Sequence, residues 1–162
     1  LDAILSPLEP TAENRQLYDF SDPYLMLGHV LVIPSNVSIS ELGDIEGKVV
    51  AVPRQTSWLL AKDSFPRVTA THYDELSVAL DLLELGKVDV VIAGILPAYT
   101  FCENLYKGIL KVATPPLDSK SLRLVTRRGE NKEFIEAFNH SLTEMKNKGT
   151  YDLLLRKWSL RQ

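Results

Sequence analysis

Short apolar runs alternate along this chain with segments whose apolar residues recur at helical spacing, and this alternation constrains the fold most. The pattern predicts strands over residues 1–5, 29–33, 49–52, 88–93, 110–113 and 122–126. Several of these runs are almost continuous in Val, Ile and Leu, which is typical of strands covered on both faces. Strands that alternate with helices predict a parallel α/β architecture.

Four helices are predicted between and after these strands, and each has polar candidates for its N-cap. In chain order the candidates are Thr56 or Ser57, Asp74, Asn131 and Thr150. Gly86 and Gly149 are predicted to end the second and third helices. The third helix carries an apolar stripe that we interpret as core, made of Phe134, Phe138, Leu142 and Met145.

Composition excludes several classes of protein. The 162 residues, 45% of them hydrophobic, can bury the core of one domain or of two small lobes. A net charge of -3 without a basic stripe predicts no nucleic-acid partner. Apolar runs are all shorter than the roughly 20 residues that span a bilayer. Any signal peptide of an exported protein would already have been removed from this chain.

The residues that most often carry catalysis or bind metals are scattered. His29, His72 and His140 lie in separate segments, and none has a spacing suited to a metal or to a nucleophile pair with Cys102. Cys102 lies among apolar neighbours, so we interpret it as a buried thiol. We therefore predict a protein that is not an enzyme and that has no metal and no cofactor.

A set of short motifs is similar to one known family. They are Asp-Ala-Ile at 2–4, Thr11, Asp-Phe-Ser-Asp-Pro-Tyr at 19–24, Gly-Lys-Val-Val at 47–50, Lys-Val-Asp at 87–89, and Gly-Thr-Tyr-Asp at 149–152 followed by Lys-Trp at 157–158. In this order and spacing the chain resembles the bacterial extracellular solute-binding proteins of family 3, the amino-acid type. The resemblance covers nearly the whole chain.

The resemblance implies a fold and a division of the chain. The fold is the periplasmic-binding-protein type 2 class of α/β protein, in which two lobes with mostly parallel sheets are joined by a two-strand hinge and enclose the ligand. Residues 32–120 are expected to form lobe two. Residues 1–28 plus 122–162 are expected to form a lobe one that lacks its N-terminal part. Because strand 1–5 would then leave an open sheet edge, we expect a homodimer or strand exchange there.

The resemblance also implies a function. Members bind a small polar solute, an amino acid or a related small carboxylate, and deliver it to the permease of an ABC transporter. The expected location is periplasmic or extracellular, in a bacterium. Two alternatives stay open: the ligand-sensing domain of a membrane receptor or channel, and a dehydratase-type enzyme.

One arginine raises a question about the ligand. In the family, an arginine three residues after the motif threonine Thr11 binds the α-carboxylate of the ligand, but here that position is Asn14, followed by Arg15. One step along a helix turns a side chain by about 100°, so Arg15 either reaches the cleft in a new direction or points away from it. In the second case it is a solvated side chain paired with Glu13 or Asp19.

Other ligand-lining positions depart from the family as well. Ser6, Pro7, Leu8 and Glu9 match its small residues on the lobe-one side of the cleft. Pro7 lacks an amide hydrogen for a carboxylate. The charge of Glu9 would repel a carboxylate.

On the lobe-two side, the resemblance matches the loop that opens a helix to Thr56, Ser57 and Trp58. It also places Gly94 where relatives hold the ammonium of the ligand with an acid. Glu9 is the one nearby acid that could hold the ammonium in place of the missing one. Because both charged ends of a free amino acid lose their usual partners, we expect simple amino acids to bind poorly.

Overall fold

The structure is a computed structural model that describes residues 2–54, 65–158 and 160. In chain order its strands and helices are β1 Ile4–Ser6, α1 Asn14–Leu17, β2 Tyr18–Phe20, β3 Leu25–Met26, β4 His29–Pro34, β5 Val49–Pro53, β6 Thr69–Tyr73, α2 Leu76–Glu84, β7 Val90–Gly94, α3 Ile95–Glu103, β8 Leu110–Val112, β9 Ser121–Arg127, α4 Lys132–Asn147 and α5 Thr150–Lys157. They belong to two compact units. Unit 1 comprises Leu1–Gly28 and Asp118–Gln162, and unit 2 comprises His29–Leu117.

Unit 2 is built on a five-stranded sheet in the order β6-β5-β7-β4-β8. Strand β5 runs parallel to β6 and β7, whereas β4 runs antiparallel to β7 and β8. Both β5 and β7 therefore have neighbours on two sides. This confirms the interior position that their apolar runs predicted.

The two faces of this sheet pack against different partners, because successive side chains of a strand point to opposite faces. On one face Val30, Val32 and Val91 pack with Leu80 and Leu83 of α2 and with Ile95 of α3. On the other face Ile45 and Ile39 cover Leu31, Ile33, Val50, Val52, Val90 and Ile92. Apolar contact on both faces explains why these strands read as unbroken apolar runs.

Unit 1 is built around β9. This strand pairs antiparallel with β1 on one side and with β2 on the other, and β3 pairs antiparallel with its first residues. Helix α4 packs against β9 and β2, and α5 packs against α4. Among the described strands β9 is the sole neighbour of β1, so the other edge of β1 is open.

The strand pairing is more antiparallel than the expected mostly parallel sheets. Only the pairs of β5 with β6 and with β7 are parallel among the described strands. Parallel neighbours need a long crossover between them, usually a helix, and α2 lies in the segment joining β6 to β7. In unit 1 no such crossover joins the short segments that pair with β9, and all of its described pairs are antiparallel.

Two helix starts differ from the prediction. The N-cap of α2 is Glu75 rather than Asp74, and no side-chain bond caps it. The N-cap of α5 is Gly149, whose φ of 72° suits glycine, and Thr150 is the first helical residue. Asn131 does occupy the N-cap position of α4, although its side chain accepts no capping bond from the first turn of the helix. Thr56 and Ser57, the remaining cap candidates, lie outside the described residues.

The apolar stripe of α4 is only partly core. Leu142 is buried as expected, and Ile135 is the second buried residue of the helix. Phe134, which was expected in the stripe, is 51% exposed. The buried face of α4 is therefore centred on Ile135 and Leu142, and Phe134 lies beside it.

Candidate ligand-binding site

The loop after β1 holds three of the residues that the sequence nominated. Ser6 ends β1, and its hydroxyl accepts a hydrogen bond from the amide of Leu8 at 3.1 Å. The carbonyl of Glu9 accepts two bonds, one from the Thr11 amide and one from the side-chain amide of Asn14, both at 2.8 Å. These bonds fold the loop back on itself and fix the backbone on either side of Glu9.

This loop forms one wall of a cavity, which we call the Arg123 pocket. The cavity has a volume of about 220 Å³ and is lined by Leu8, Glu9, Pro10, Thr11, Ser119, Ser121 and Arg123. Arg123 stands opposite Ser6 in the pairing of β9 with β1, so the two side chains share a face. Strand pairing is thus what brings an arginine from the far end of the chain to the loop of Glu9.

The guanidinium of Arg123 is held in place and still has unused donors. Its Nη1 donates to the carbonyl of Ser21 at 2.9 Å. Its Nε is buried and has no hydrogen-bond partner within the described part of the chain. A guanidinium carries five N–H donors in a planar fork that matches a carboxylate.

Arg15 lies in a different cavity. That cavity, of about 400 Å³, is lined by Arg15, Tyr18, Asp19, Phe20, Arg128, Lys132, Ile135 and Glu136. The Nε of Arg15 donates to the carbonyl of Pro10 at 3.0 Å, and its guanidinium lies 5.9 Å from the centre of the Phe20 ring. The structure therefore does not bring Arg15 into the cavity of Leu8 and Glu9.

The partners expected for a solvated Arg15 also differ from those observed. Neither Glu13 nor Asp19 forms an ion pair with it within 4.0 Å, and Asp19 instead accepts the amide of Gly129 at 2.6 Å. The segment is helical over Asn14–Leu17, as the rotation argument assumed. The guanidinium of Arg15 thus contacts a backbone carbonyl and the face of an aromatic ring rather than a carboxylate.

The remaining predicted residues belong to residues 29–117 or are not described. Gly94 ends β7 and is the N-cap of α3. A Cβ at Gly94 would lie 3.5 Å from Pro97, an ordinary contact, so space does not explain the glycine. Thr56, Ser57 and Trp58 lie outside the described residues.

Cys102 is buried, in agreement with its apolar sequence context. Burial, with a further contribution from the charge of Glu103, raises the pKa of its thiol to about 11. The thiolate is the reactive form of cysteine, so this shift makes the group a poor nucleophile near neutral pH. Within residues 2–54 and 65–158 there is no group of three or more His, Cys, Asp and Glu side chains arranged for a metal.

Comparison with known proteins bears on what the pocket binds. A family model for bacterial extracellular solute-binding proteins, family 3, matches residues 1–161. The chain belongs to this family. Members of family 3 are binding proteins found outside the cytoplasm. No helix in the described part of this family 3 chain has the length and hydropathy of a membrane span.

Two curated relatives cover almost all of this family 3 chain. A probable histidine-binding protein of Campylobacter jejuni is 27% identical, and the match covers 99% of this chain and 62% of the relative. An ABC transporter glutamine-binding protein of Bacillus subtilis is 23% identical over 98% of this chain and 58% of its own length. The chain thus spans about 60% of the length of the curated relatives it matches.

A solved structure gives the same fold. The L-cystine solute receptor of Neisseria gonorrhoeae, in its unliganded open form, superposes with a TM-score of 0.82 at 22% identity, over 99% of this chain and 68% of that one. The predicted α/β class of the periplasmic-binding-protein type 2 kind is confirmed.

Sequence reasoning missed Arg123 as a site residue. The run 122–126 was interpreted as a buried strand, and Arg123 lies between Leu122 and Leu124. A charged residue inside an apolar strand was the available signal, because such a residue needs a partner when it is covered. Only the register of β9 with β1 shows where that side chain lies.

Proposed function

We propose that this chain binds a small polar solute, an amino acid or a related small carboxylate, outside the cytoplasm and delivers it to an ABC transporter. The single observation that carries the proposal is the Arg123 pocket in a family 3 protein. The pocket offers a cationic and an anionic side chain that form no ion pair with each other. Such a pocket suits a small ligand with charged groups.

The proposed partner is the membrane permease of the transporter. The relatives favour transport over the sensor and dehydratase alternatives, because each is named for binding and one for an ABC transporter. We also propose that 32–120 corresponds to lobe two of the family, and 1–28 plus 122–162 to part of lobe one. Thr56, Ser57, Trp58 and Gly94 stay predicted ligand-binding residues of lobe two.

A binding screen tests this function. The purified chain is titrated calorimetrically with each of the 20 standard L-amino acids and with succinate, glutarate and citrate, at low salt and neutral pH. We expect at least one amino acid or carboxylate to bind with a dissociation constant in the micromolar range. If none of the panel binds, the proposed function is wrong for this chain.

We also propose that β1 takes part in self-association. Its outer edge is open among the described strands, and its residues Ile4 and Leu5 are 42% and 59% exposed. An open edge offers unpaired amides and carbonyls to a strand of a second copy. Sedimentation velocity over a range of protein concentrations tests this.

A further inference from the structure

We infer that Arg123, rather than Arg15, binds the carboxylate of the ligand, and that Glu9 binds an ammonium group of the same ligand. The ligand head is then a zwitterion, as in a free amino acid. This inference rests on the proposed function and names the ligand chemistry of its site. It revises the expectation that simple amino acids bind poorly. Arg123 takes the role of the family arginine, whose position is Asn14 here, and Glu9 takes the role of the family acid, whose position is Gly94 here.

The first observation is that Arg123 has donors without acceptors. One N–H, on Nη1, is used by the carbonyl of Ser21, whereas the buried Nε has no partner in the described structure. A buried donor that has lost its water without gaining an acceptor is unfavourable. The other N–H groups, on Nη1 and Nη2, can donate to the two oxygens of a carboxylate in the pocket.

The second observation is that Arg123 is positioned in advance. Ser21, which accepts the Nη1 bond, is 2% exposed. Its amide donates to the carbonyl of Leu124 and its hydroxyl accepts from the amide of Leu124, both at 2.9 Å. Little side-chain freedom of Arg123 remains to be lost on binding, which favours affinity.

The third observation concerns Glu9. Its backbone carbonyl is held by Thr11 and Asn14, while no hydrogen bond or ion pair engages its side-chain carboxylate among the described residues. The carboxylate lines the same pocket as Arg123, and no ion pair joins the two. A ligand with one charge of each sign can therefore pair with both side chains.

The fourth observation excludes the two residues nearest the position of the family arginine. The side-chain amide of Asn14 is used on the carbonyl of Glu9 at 2.8 Å, so it shapes the loop instead of facing a ligand. The Nε of Arg15 is used on the carbonyl of Pro10, and its guanidinium lies over Phe20 in the other cavity. Arg123 is the arginine that lines the cavity of Glu9.

The size of the pocket fits a ligand head. Its volume of about 220 Å³ is below the roughly 300–1,000 Å³ of ordinary small-molecule sites. The charged α-amino-carboxylate group of an amino acid is small enough for such a space. The side chain of the ligand then extends beyond it.

Calorimetry on the intact chain tests the assignment. The probes are the amino acid that binds best in the screen, its methyl ester, which lacks the carboxylate charge, and its N-acetyl derivative, which lacks the ammonium. The variants are Arg123→Gln, Arg15→Gln and Glu9→Gln. Arg127→Gln is the matched control, because Arg127 lies on the same strand and its side chain is 75% exposed.

We expect Arg123→Gln to weaken the amino acid by about ten- to a hundredfold, the usual effect of losing a charge-assisted bond. The methyl ester offers the guanidinium only a neutral carbonyl, so it should bind wild type and Arg123→Gln within about threefold of each other. Glu9→Gln should weaken the amino acid but not the N-acetyl derivative. Arg15→Gln and Arg127→Gln should stay within about threefold of wild type.

Three results would overturn the assignment. If Arg15→Gln loses affinity while Arg123→Gln does not, the ligand is bound but the arginine is misassigned, and the proposed function survives. If the methyl ester binds wild type as well as the acid does, no arginine holds the carboxylate. If no probe binds wild type, the proposed function and the assignment fall together. Should Arg123→Gln not fold, Arg123→Lys keeps the charge without the fork, and an unchanged affinity there would contradict a bidentate contact.

Discussion

Unit 2 and unit 1 bury their apolar side chains to different extents. In unit 2 both faces of the sheet are covered, and residues such as Leu31, Leu80 and Ile92 are fully buried. In unit 1 the described buried apolar residues are Leu124, Val125, Ile135 and Leu142. Both units expose some large apolar side chains, and in the described part of unit 1 these outnumber the buried ones: they are Ile4, Leu5, Leu17, Phe134, Leu153, Leu154 and Trp158.

Unit 1 also carries an apolar groove of about 440 Å³. It is lined mainly by side chains of α4 and α5, including Phe138, Leu142, Met145, Tyr151, Leu154 and Trp158, with Tyr24 and Leu25. Hydrophobic stabilisation grows with the apolar area removed from water, so unit 2 is the more strongly stabilised of the two. The proposed ligand pocket therefore lies in unit 1, the unit with fewer buried apolar side chains.

The largest expected effect is a core deletion in unit 2. Leu80→Ala removes a fully buried side chain and should lower the free energy of unfolding by about 2–5 kcal/mol. Leu153→Ala in unit 1, where the side chain is 65% exposed, should change it by less than about 0.5 kcal/mol. Urea unfolding followed by circular dichroism measures both values.

The matched control for this pair is Leu85→Ala, which removes a leucine that is 70% exposed just after α2. It should behave like Leu153→Ala. Hydrogen exchange read by mass spectrometry then assigns the loss in Leu80→Ala to peptides of unit 2. Equal losses in Leu80→Ala and Leu153→Ala would show that unit 2 does not depend on its core more than unit 1 does.

The same difference explains how much of the fold the sequence predicts. Strands β4, β5 and β7 were found because burial on both faces makes them apolar throughout. Strand β6, with the sequence Thr-Ala-Thr-His-Tyr, was missed because it is an edge strand with exposed polar residues. Helix α3 was missed because it follows β7 directly and continues the same apolar run. The position of β6 and α3 in the fold depends on their tertiary neighbours, and the spacing of apolar residues along the sequence does not show it.

The pocket was less predictable than the fold. Glu9 and Leu8 were candidates because the family resemblance matches them to residues that line the ligand cleft, and the structure places both in the Arg123 pocket. Arg123 itself was assigned to a buried strand, because nothing local shows that β9 pairs with β1 in the register that sets it opposite Ser6. Long-range strand register is information that a single sequence does not display.

Alkaline pH should weaken unit 2. Burial is the main cause that raises the pKa of Cys102 from 9.0 to about 11, and burial with the hydrogen bond to Asp81 raises that of Tyr106 from 10.0 to about 12. The folded state thus holds these protons more tightly than the unfolded state does. Their stabilising contribution is complete below about pH 9 and is lost as pH rises through about 11 and then about 12.

The measurement for this effect is the urea midpoint between pH 8 and pH 12. The midpoint of wild type should fall over this range. Burial also raises the pKa of Tyr73 in unit 2, so Tyr106→Phe removes one of three titrations. Its midpoint should therefore fall less steeply above about pH 10, although it starts lower because Asp81 loses its donor. An equal slope in the two proteins would show that Tyr106 does not hold its proton in this way.

The smallest expected effect on stability belongs to the edge of unit 1. Leu5 is 59% exposed on β1, so Leu5→Lys should change the free energy of unfolding by less than about 0.5 kcal/mol. A lysine on an edge strand nevertheless opposes pairing with another chain, and the variant should therefore shift self-association towards the monomer. Leu17→Lys is the control, since Leu17 is 63% exposed on α1 and not on the sheet edge. Sedimentation velocity compares the three proteins. A wild type that stays monomeric at every concentration, or an equal shift in both variants, would show that the edge of β1 does not drive association.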